Sequence, residues 1–156
     1  MKRVLTTAII LTAATLTAGC GNRDERTYRD PETGNEVTVQ TGDRMRAPRN
    51  MPDYAPIYPG ARIENVMEGT SSGEGGADSG GMVTFLTDAD METVARFYRE
   101  RLDASGLTER SDVSMGSAMM LSATSAENSS NAVQVTLSPN DEGNGTRVSV
   151  TYSRGS

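Results

Sequence analysis

The chain contains no histidine and no tryptophan, and Lys2 is its only lysine. These absences remove most catalytic repertoires. Without His, no Ser–His or Cys–His nucleophilic pair can be assembled. Without a lysine beyond Lys2, there is no Ser–Lys dyad, no Schiff base and no phosphate loop ending in Gly-Lys-Ser/Thr. Zinc sites draw on His and Cys, and Cys20 is the only cysteine. One cysteine also rules out an intramolecular disulfide, so the fold is held by its core. Aromatic residues are scarce, at two Phe and five Tyr, which argues against the stacking platforms of a carbohydrate-cleaving cleft. The formal net charge is −6, and the only basic groups of the first nineteen residues, Lys2 and Arg3, make the remainder more acidic still. Nucleic-acid binding rests on neutralising phosphates with Lys and Arg, so no nucleic-acid partner is expected. Carboxylate chemistry, a carboxylate-bound Ca²⁺, or no catalysis is what remains. The chain is read as a non-enzyme with no cofactor and no metal.

What the sequence does hold begins with its only long apolar run. Met1-Lys2-Arg3 is followed by fifteen uncharged residues, Val4 to Ala18. A basic start, a short apolar stretch and small residues at its end describe a secretory signal. A membrane-spanning helix needs about 20 apolar residues, and this run is shorter and carries five threonines. Its end, Leu16-Thr17-Ala18-Gly19-Cys20, resembles the lipobox of bacterial lipoproteins. The resemblance implies cleavage before Cys20, a diacylglycerol on its sulfur and acylation of its amino group. Thr17 stands where that family usually has Leu. Several acyl chains together give firm attachment, at about 0.8 kcal/mol per buried methylene. The implied partner is the membrane, reached through lipid on Cys20. Gly21, where an Asp would imply retention at the inner membrane, implies a periplasm-facing position on the outer membrane. The alternatives are the inner membrane, or a cleaved, non-lipidated periplasmic protein.

The remainder divides into 1–19 signal peptide, 20–50 periplasmic tether and 51–156 domain. The tether is charged, Pro-punctuated and poor in large apolar residues, too poor to offset its ordering entropy. A small hairpin over 27–40 is expected within it, around Asp30-Pro31-Glu32-Thr33-Gly34-Asn35. In the domain, Arg62–Glu68 and Met82–Leu86 read as strands. Gly69–Gly81 reads as a flexible loop, because six of its thirteen residues are Gly. Val94, Phe97, Tyr98 and Leu102 recur at helical spacing and predict a helix from about Met91 to Ser105, with Asp88 or Asp90 as N-cap. Four strands are expected after it, near 107–113, 117–124, 132–138 and 147–152. Clean alternation in the last two marks a sheet with one buried face. The fold class expected is α+β: one helix packed on a single antiparallel sheet, in the order β-β-α-β-β-β-β, after a cleaved signal and a flexible tether.

Tyr58-Pro59-Gly60-Ala61, together with Val94, Phe97-Tyr98, Leu102 and Gly106-Leu107, resembles a pattern of bacterial envelope proteins to which no activity is attached. The layout also resembles, loosely, the helix-grip domains of outer-membrane assembly lipoproteins, which are interaction modules. The functional expectation is a membrane-anchored envelope lipoprotein that binds or scaffolds an envelope protein partner. The alternative is a small-ligand-binding or carboxylate-dependent hydrolytic domain. Besides Cys20, Tyr98 and Arg101 are the candidate ligand or partner face. Two further sets have bland readings that outweigh functional ones. Met67, Met82, Met115, Met119 and Met120 could offer soft sulfur to Cu(I) but suit gap-filling. Glu64, Glu68, Glu74 and Asp78 could hold Ca²⁺ but suit a solvated loop.

Overall fold

A computed structural model describes residues 23–73 and 76–155. The signal segment and Cys20 lie outside the described residues. Nine elements follow one another: β1 (Arg23–Arg29), β2 (Glu36–Gly42), β3 (Arg62–Gly73), β4 (Gly76–Thr87), α1 (Met91–Asp103), β5 (Glu109–Met115), β6 (Ala118–Thr124), β7 (Ala132–Pro139) and β8 (Thr146–Arg154). All eight strands form one antiparallel sheet in the spatial order β1-β2-β3-β4-β8-β7-β6-β5.

This overturns the expected order β-β-α-β-β-β-β after a flexible tether. Residues 23–42 are the first two strands of the same sheet, and four strands, not two, precede the helix. Their polar composition is compatible with a strand because β2 pairs on its other side with β3, from Glu36↔Thr70 to Gln40↔Val66. A hairpin that is marginal alone becomes stable once a third strand supplies a ladder. The turn between them is closed by Asp30, whose carboxylate accepts from the Glu32 and Thr33 amides. Those backbone donors hold its pKa below the usual carboxylate value. The expected Gly-rich loop is also ladder. β3 and β4 stay in register from Met67↔Met82 through Gly69↔Gly80 to Ser72↔Ala77. Composition misled here because β2 and β8 flank the ribbon near its base, so cross-strand hydrogen bonds outweigh the entropy cost of glycine.

The sheet has one heavily buried face. Val66, Val83, Phe85, Leu121, Val133, Val135, Leu137, Val148, Val150 and Tyr152 form it. Two covers lie on that face. One is α1, which touches β6 and β7 and buries Val94, Ala95, Tyr98 and Leu102. The other is the segment 43–61, which buries Pro52 and Ala55. It is pinned by Asn50, whose Oδ1 accepts from the Tyr152 hydroxyl at 2.6 Å. Tyr98 joins the two covers: its hydroxyl donates to the Pro56 carbonyl at 2.7 Å. The Tyr58 ring meets Phe97 edge-on at 5.1 Å. That contact ties the Tyr58-Pro59-Gly60-Ala61 entry to the Phe97-Tyr98 part of the helix.

The helix begins at Asp90, whose side chain accepts from the Thr93 amide at 2.9 Å. This bond, with a second from the Thr93 hydroxyl at 2.7 Å, lowers the Asp90 pKa. Replacing Asp90 with alanine is expected to cost about 1 kcal/mol, the usual loss for an N-cap carboxylate. Chemical denaturation of the variant checks it; an unchanged midpoint would show that the cap is dispensable. Along the helix, Glu92 pairs with Arg99 at 2.9 Å. Arg99 also reaches Asp112 on β5 at 2.8 Å.

Candidate functional site

Which face each residue occupies follows from the strand register, since paired residues share a face and neighbours along a strand alternate. Val66, Val83 and Tyr152 point toward the covers, so Met67, Met82 and Thr151 point away. On this outer face one transverse row runs Tyr28, Val37, Gly69, Gly80, Ser153. The next runs Arg26, Val39, Met67, Met82, Thr151. Side chains are missing where Gly69 and Gly80 meet, and the surface is hollow there. The hollow is an open groove of about 510 Å³, lined among others by Val37, Met67, Gly69, Gly80, Met82 and Thr151. Its walls are mostly apolar, and its outward-facing polar margin comes from Ser71, Asp78 and Ser153.

The glycines are not equivalent. A Cβ on Gly80 would sit 2.8 Å from the Tyr152 carbonyl oxygen, and one on Gly81 2.7 Å from the Met67 carbonyl oxygen. A Cβ on Gly69 would meet only the Glu36 carbonyl oxygen, at 3.7 Å, an ordinary contact. Gly69 is therefore the one of the three that can take a side chain into the groove without moving the backbone.

A second hollow of about 300 Å³ lies between α1 and the β5–β6 edge. Its charges are already matched: Arg99 to Asp112 and Glu92, and Arg110 to Asp103. Arginines paired in this way have little left for an incoming anion.

Of the residues singled out in the sequence, Cys20 and Glu74 lie outside the described residues. Tyr98 is 0% exposed, and burial raises its phenol pKa well above the ordinary value of 10.0. It has no surface to offer a ligand. Arg101 is exposed, with its guanidinium 5.1 Å above the Phe97 ring. The helix thus carries the two on different surroundings and makes no common face of them. Met67 and Met82 are cross-strand partners, whereas Met119 faces the core and Met120 the outer side, with β8 and β7 between β4 and β6. Glu64 is engaged by Arg62 and Arg147. The Glu68 carboxylate accepts from the Arg49 amide at 2.8 Å. Among the described residues, no group of three or more His, Cys, Asp or Glu side chains is placed to hold a metal ion.

Sequence reasoning did not assemble the groove, although a signal was there. Val66-Met67 and Met82-Val83 put apolar residues on both faces of neighbouring strands. Strict one-sided burial would have left the outer positions polar, as Thr84, Ser149 and Thr151 are.

A protein-family model described as START domain-like matches residues 63–145, more than half of the chain. The match runs from the start of β3 to the loop before β8 and so includes the helix and most of the groove strands. No curated protein matches the chain, and no solved structure does.

Proposed function

The chain belongs to the START domain-like family, and from that premise we propose that it binds a small apolar ligand in the outer-face groove while lipid on Cys20 holds it at the bacterial outer membrane. The family match suggests a small-ligand-binding domain in general terms. The groove carries the finer reading: about 510 Å³ of mostly apolar space falls within the range of small-molecule sites. Val37, Met67 and Met82 provide dispersion contacts, and methionine adapts to irregular shapes. Ser71, Asp78 and Ser153 at the margin supply acceptors that would orient a polar end. Nothing in this arrangement calls for bond making or breaking, and the protein is read as a binder.

Gly69→Phe tests the site. The added ring has room at its Cβ and fills the hollow. An apolar fluorescent probe such as N-phenylnaphthylamine is expected to bind the native protein and to bind Gly69→Phe at least about tenfold more weakly, equivalent to about 1.4 kcal/mol. Thermal stability should stay nearly unchanged. Undiminished probe binding by Gly69→Phe would remove the groove as the site. The anchor is tested apart from it. Cys20→Ser is expected to move the protein from the membrane to the soluble fraction, and equal membrane retention would dispose of the lipid.

A protein-binding role is the second reading, favoured by β5. It is an exposed sheet edge, and edges are templates for strand addition.

A further inference from the structure

Among the described residues, the exposed large hydrophobic side chains are Tyr28, Val37, Met67, Val113 and Met115. The register puts all five on one side of the molecule. Tyr28, Val37 and Met67 belong to the two outer rows already traced. Val113 pairs with Met120, the neighbour of core-facing Leu121, and Met115 pairs with Ala118 in the same phase. The outer face of the sheet therefore carries the whole set, at 60% exposure for Tyr28, 38% for Val37 and 39% for Met67. The opposite side is different. The helix shows Arg96, Arg101 and Asp103 to solvent, and the 43–61 cover shows Arg44, Arg46 and Arg49.

The second observation is the length of chain before the sheet. β1 starts at Arg23, so only Gly21 and Asn22 separate it from Cys20. Three Cα–Cα steps span at most about 10 Å. A domain leashed this closely cannot stand away from the surface to which the leash is fixed; some part of it must touch. β1 is also the edge of the sheet, so among the described residues the strand nearest the anchor has no paired strand on its outer side. Tyr28 lies five residues along it, about 17 Å from Arg23.

We infer that the outer face of the β1–β2–β3–β4 part of the sheet lies against the bilayer surface, with Tyr28 and Met67 at the headgroup level and the helix directed away. The inference rests on the reading of Cys20 as the lipid anchor. Tyrosine suits this depth because its ring is apolar and its hydroxyl remains hydrated. Charge contributes little: on the same face Arg26 is accompanied by Asp24. Contact should therefore depend on the anchor and the apolar side chains rather than on anionic lipid or low salt. The groove then opens toward the membrane.

The absence of Trp makes a single-Trp reporter clean. Full-length Tyr28→Trp, Met67→Trp and Arg96→Trp are expressed so that they are processed, then placed in phosphatidylethanolamine–phosphatidylglycerol vesicles with and without brominated acyl chains. Strong quenching is expected at 28 and 67 and little at 96. Inserting a Gly/Ser linker of about 30 residues between Asn22 and Arg23, with an r.m.s. span of about 30 Å, should abolish the difference while the protein still sediments with vesicles. Nitration of the native Tyr28 gives the same readout without substitution: it should be slower in vesicle-bound protein than in soluble Cys20→Ser. Equal quenching at 28 and 96 overturns the orientation. So does a vesicle-bound, lipidated Tyr28→Trp protein whose indole is shielded from water yet unquenched, because a second copy or another protein would then cover the face. Failure of the anchor itself is read separately, as a mature mass without diacylglycerol and acyl chains, and it overturns both readings.

Discussion

Tyr98→Ala is expected to lower stability by about 3–5 kcal/mol, the range for truncating a fully buried aromatic side chain. For a domain of this size the melting temperature should fall by roughly 10–20 °C. Tyr98 is 0% exposed, lies edge-on to Phe97 at 5.1 Å and packs among the core residues of the sheet. Its hydroxyl is the direct hydrogen bond between the helix and the 43–61 cover. Two losses are thus combined, a cavity beneath α1 and an unpartnered Pro56 carbonyl. Tyr98→Phe separates them. It keeps the ring and removes the hydroxyl, for an expected cost of about 1–3 kcal/mol. If both variants melted together with the native protein, the Tyr98 contact would not be holding the two covers.

The same residue sets a pH dependence. Burial raises the Tyr98 phenol pKa above its ordinary value of 10.0. The folded state then keeps the proton that the unfolded state releases. Stability linked to this group is complete below pH 10 and declines as pH rises from the unfolded pKa toward the higher folded one. Tyr152 and Tyr54 are shifted in the same direction, chiefly by burial. Tyr98→Phe should therefore reduce the alkaline fall in stability without abolishing it. Denaturation midpoints taken from pH 8 upward check the slope.

The helix was the element most legible in the sequence, because period and cap agree. Val94, Tyr98 and Leu102 recur on one stripe, and Asp90 stands three residues before Thr93, whose amide it accepts. Strands β7 and β8 were legible for the same reason, through the alternation of Val133, Val135 and Leu137 and of Val148, Val150 and Tyr152. The hairpin of the first two strands was legible around residues 30–35, but its place in the main sheet was not, because that placement is non-local. Arg23–Arg29 has little apolar content of its own and becomes strand only by pairing with β2, which pairs with β3. Gly69–Gly81 failed for a related reason. Glycine content reports what a segment would do alone, and this one continues a ladder that is flanked at its base as far as Thr70 and Ser79. The groove was hidden by that same misreading. It consists of missing side chains at Gly69 and Gly80 brought into register with Val37 and Ser153, and no one-dimensional pattern displays such a vacancy. Tyr98 shows the opposite failure. Its helical phase was visible, but its 0% exposure, which removes it as a ligand contact, depends on the Pro56 segment forty-two residues earlier.

Gly145→Ala is expected to be nearly as damaging as loss of Tyr98, by at least about 3 kcal/mol. The loop 139–145 carries turn residues, and its composition alone would predict tolerance. Gly145, however, has φ +98°, and a Cβ there would lie 2.1 Å from the Thr87 carbonyl oxygen and 3.0 Å from the Asp88 Cα. Both obstacles are backbone and cannot rotate aside. Positive φ alone costs a non-glycine residue about 1–3 kcal/mol, and displacing Thr87–Asp88 adds to it. The displacement reaches the helix. The next residue, Thr146, is fully buried and donates its hydroxyl to the Ala89 carbonyl at 2.8 Å. One residue further on, Asp90 caps α1. Pushing the loop outward should break the Thr146 bond and loosen the cap together. The urea midpoint is expected to drop by at least about 1.5 M at an m-value of about 2 kcal/mol per M. A companion change, Gly143→Ala, has only the Asn140 side-chain nitrogen near its Cβ, at 3.7 Å, and no positive φ. It should leave the midpoint within experimental error. Equal behaviour of the two alanines would show that the close approach of Gly145 to Thr87 does not couple the β7–β8 loop to the start of the helix.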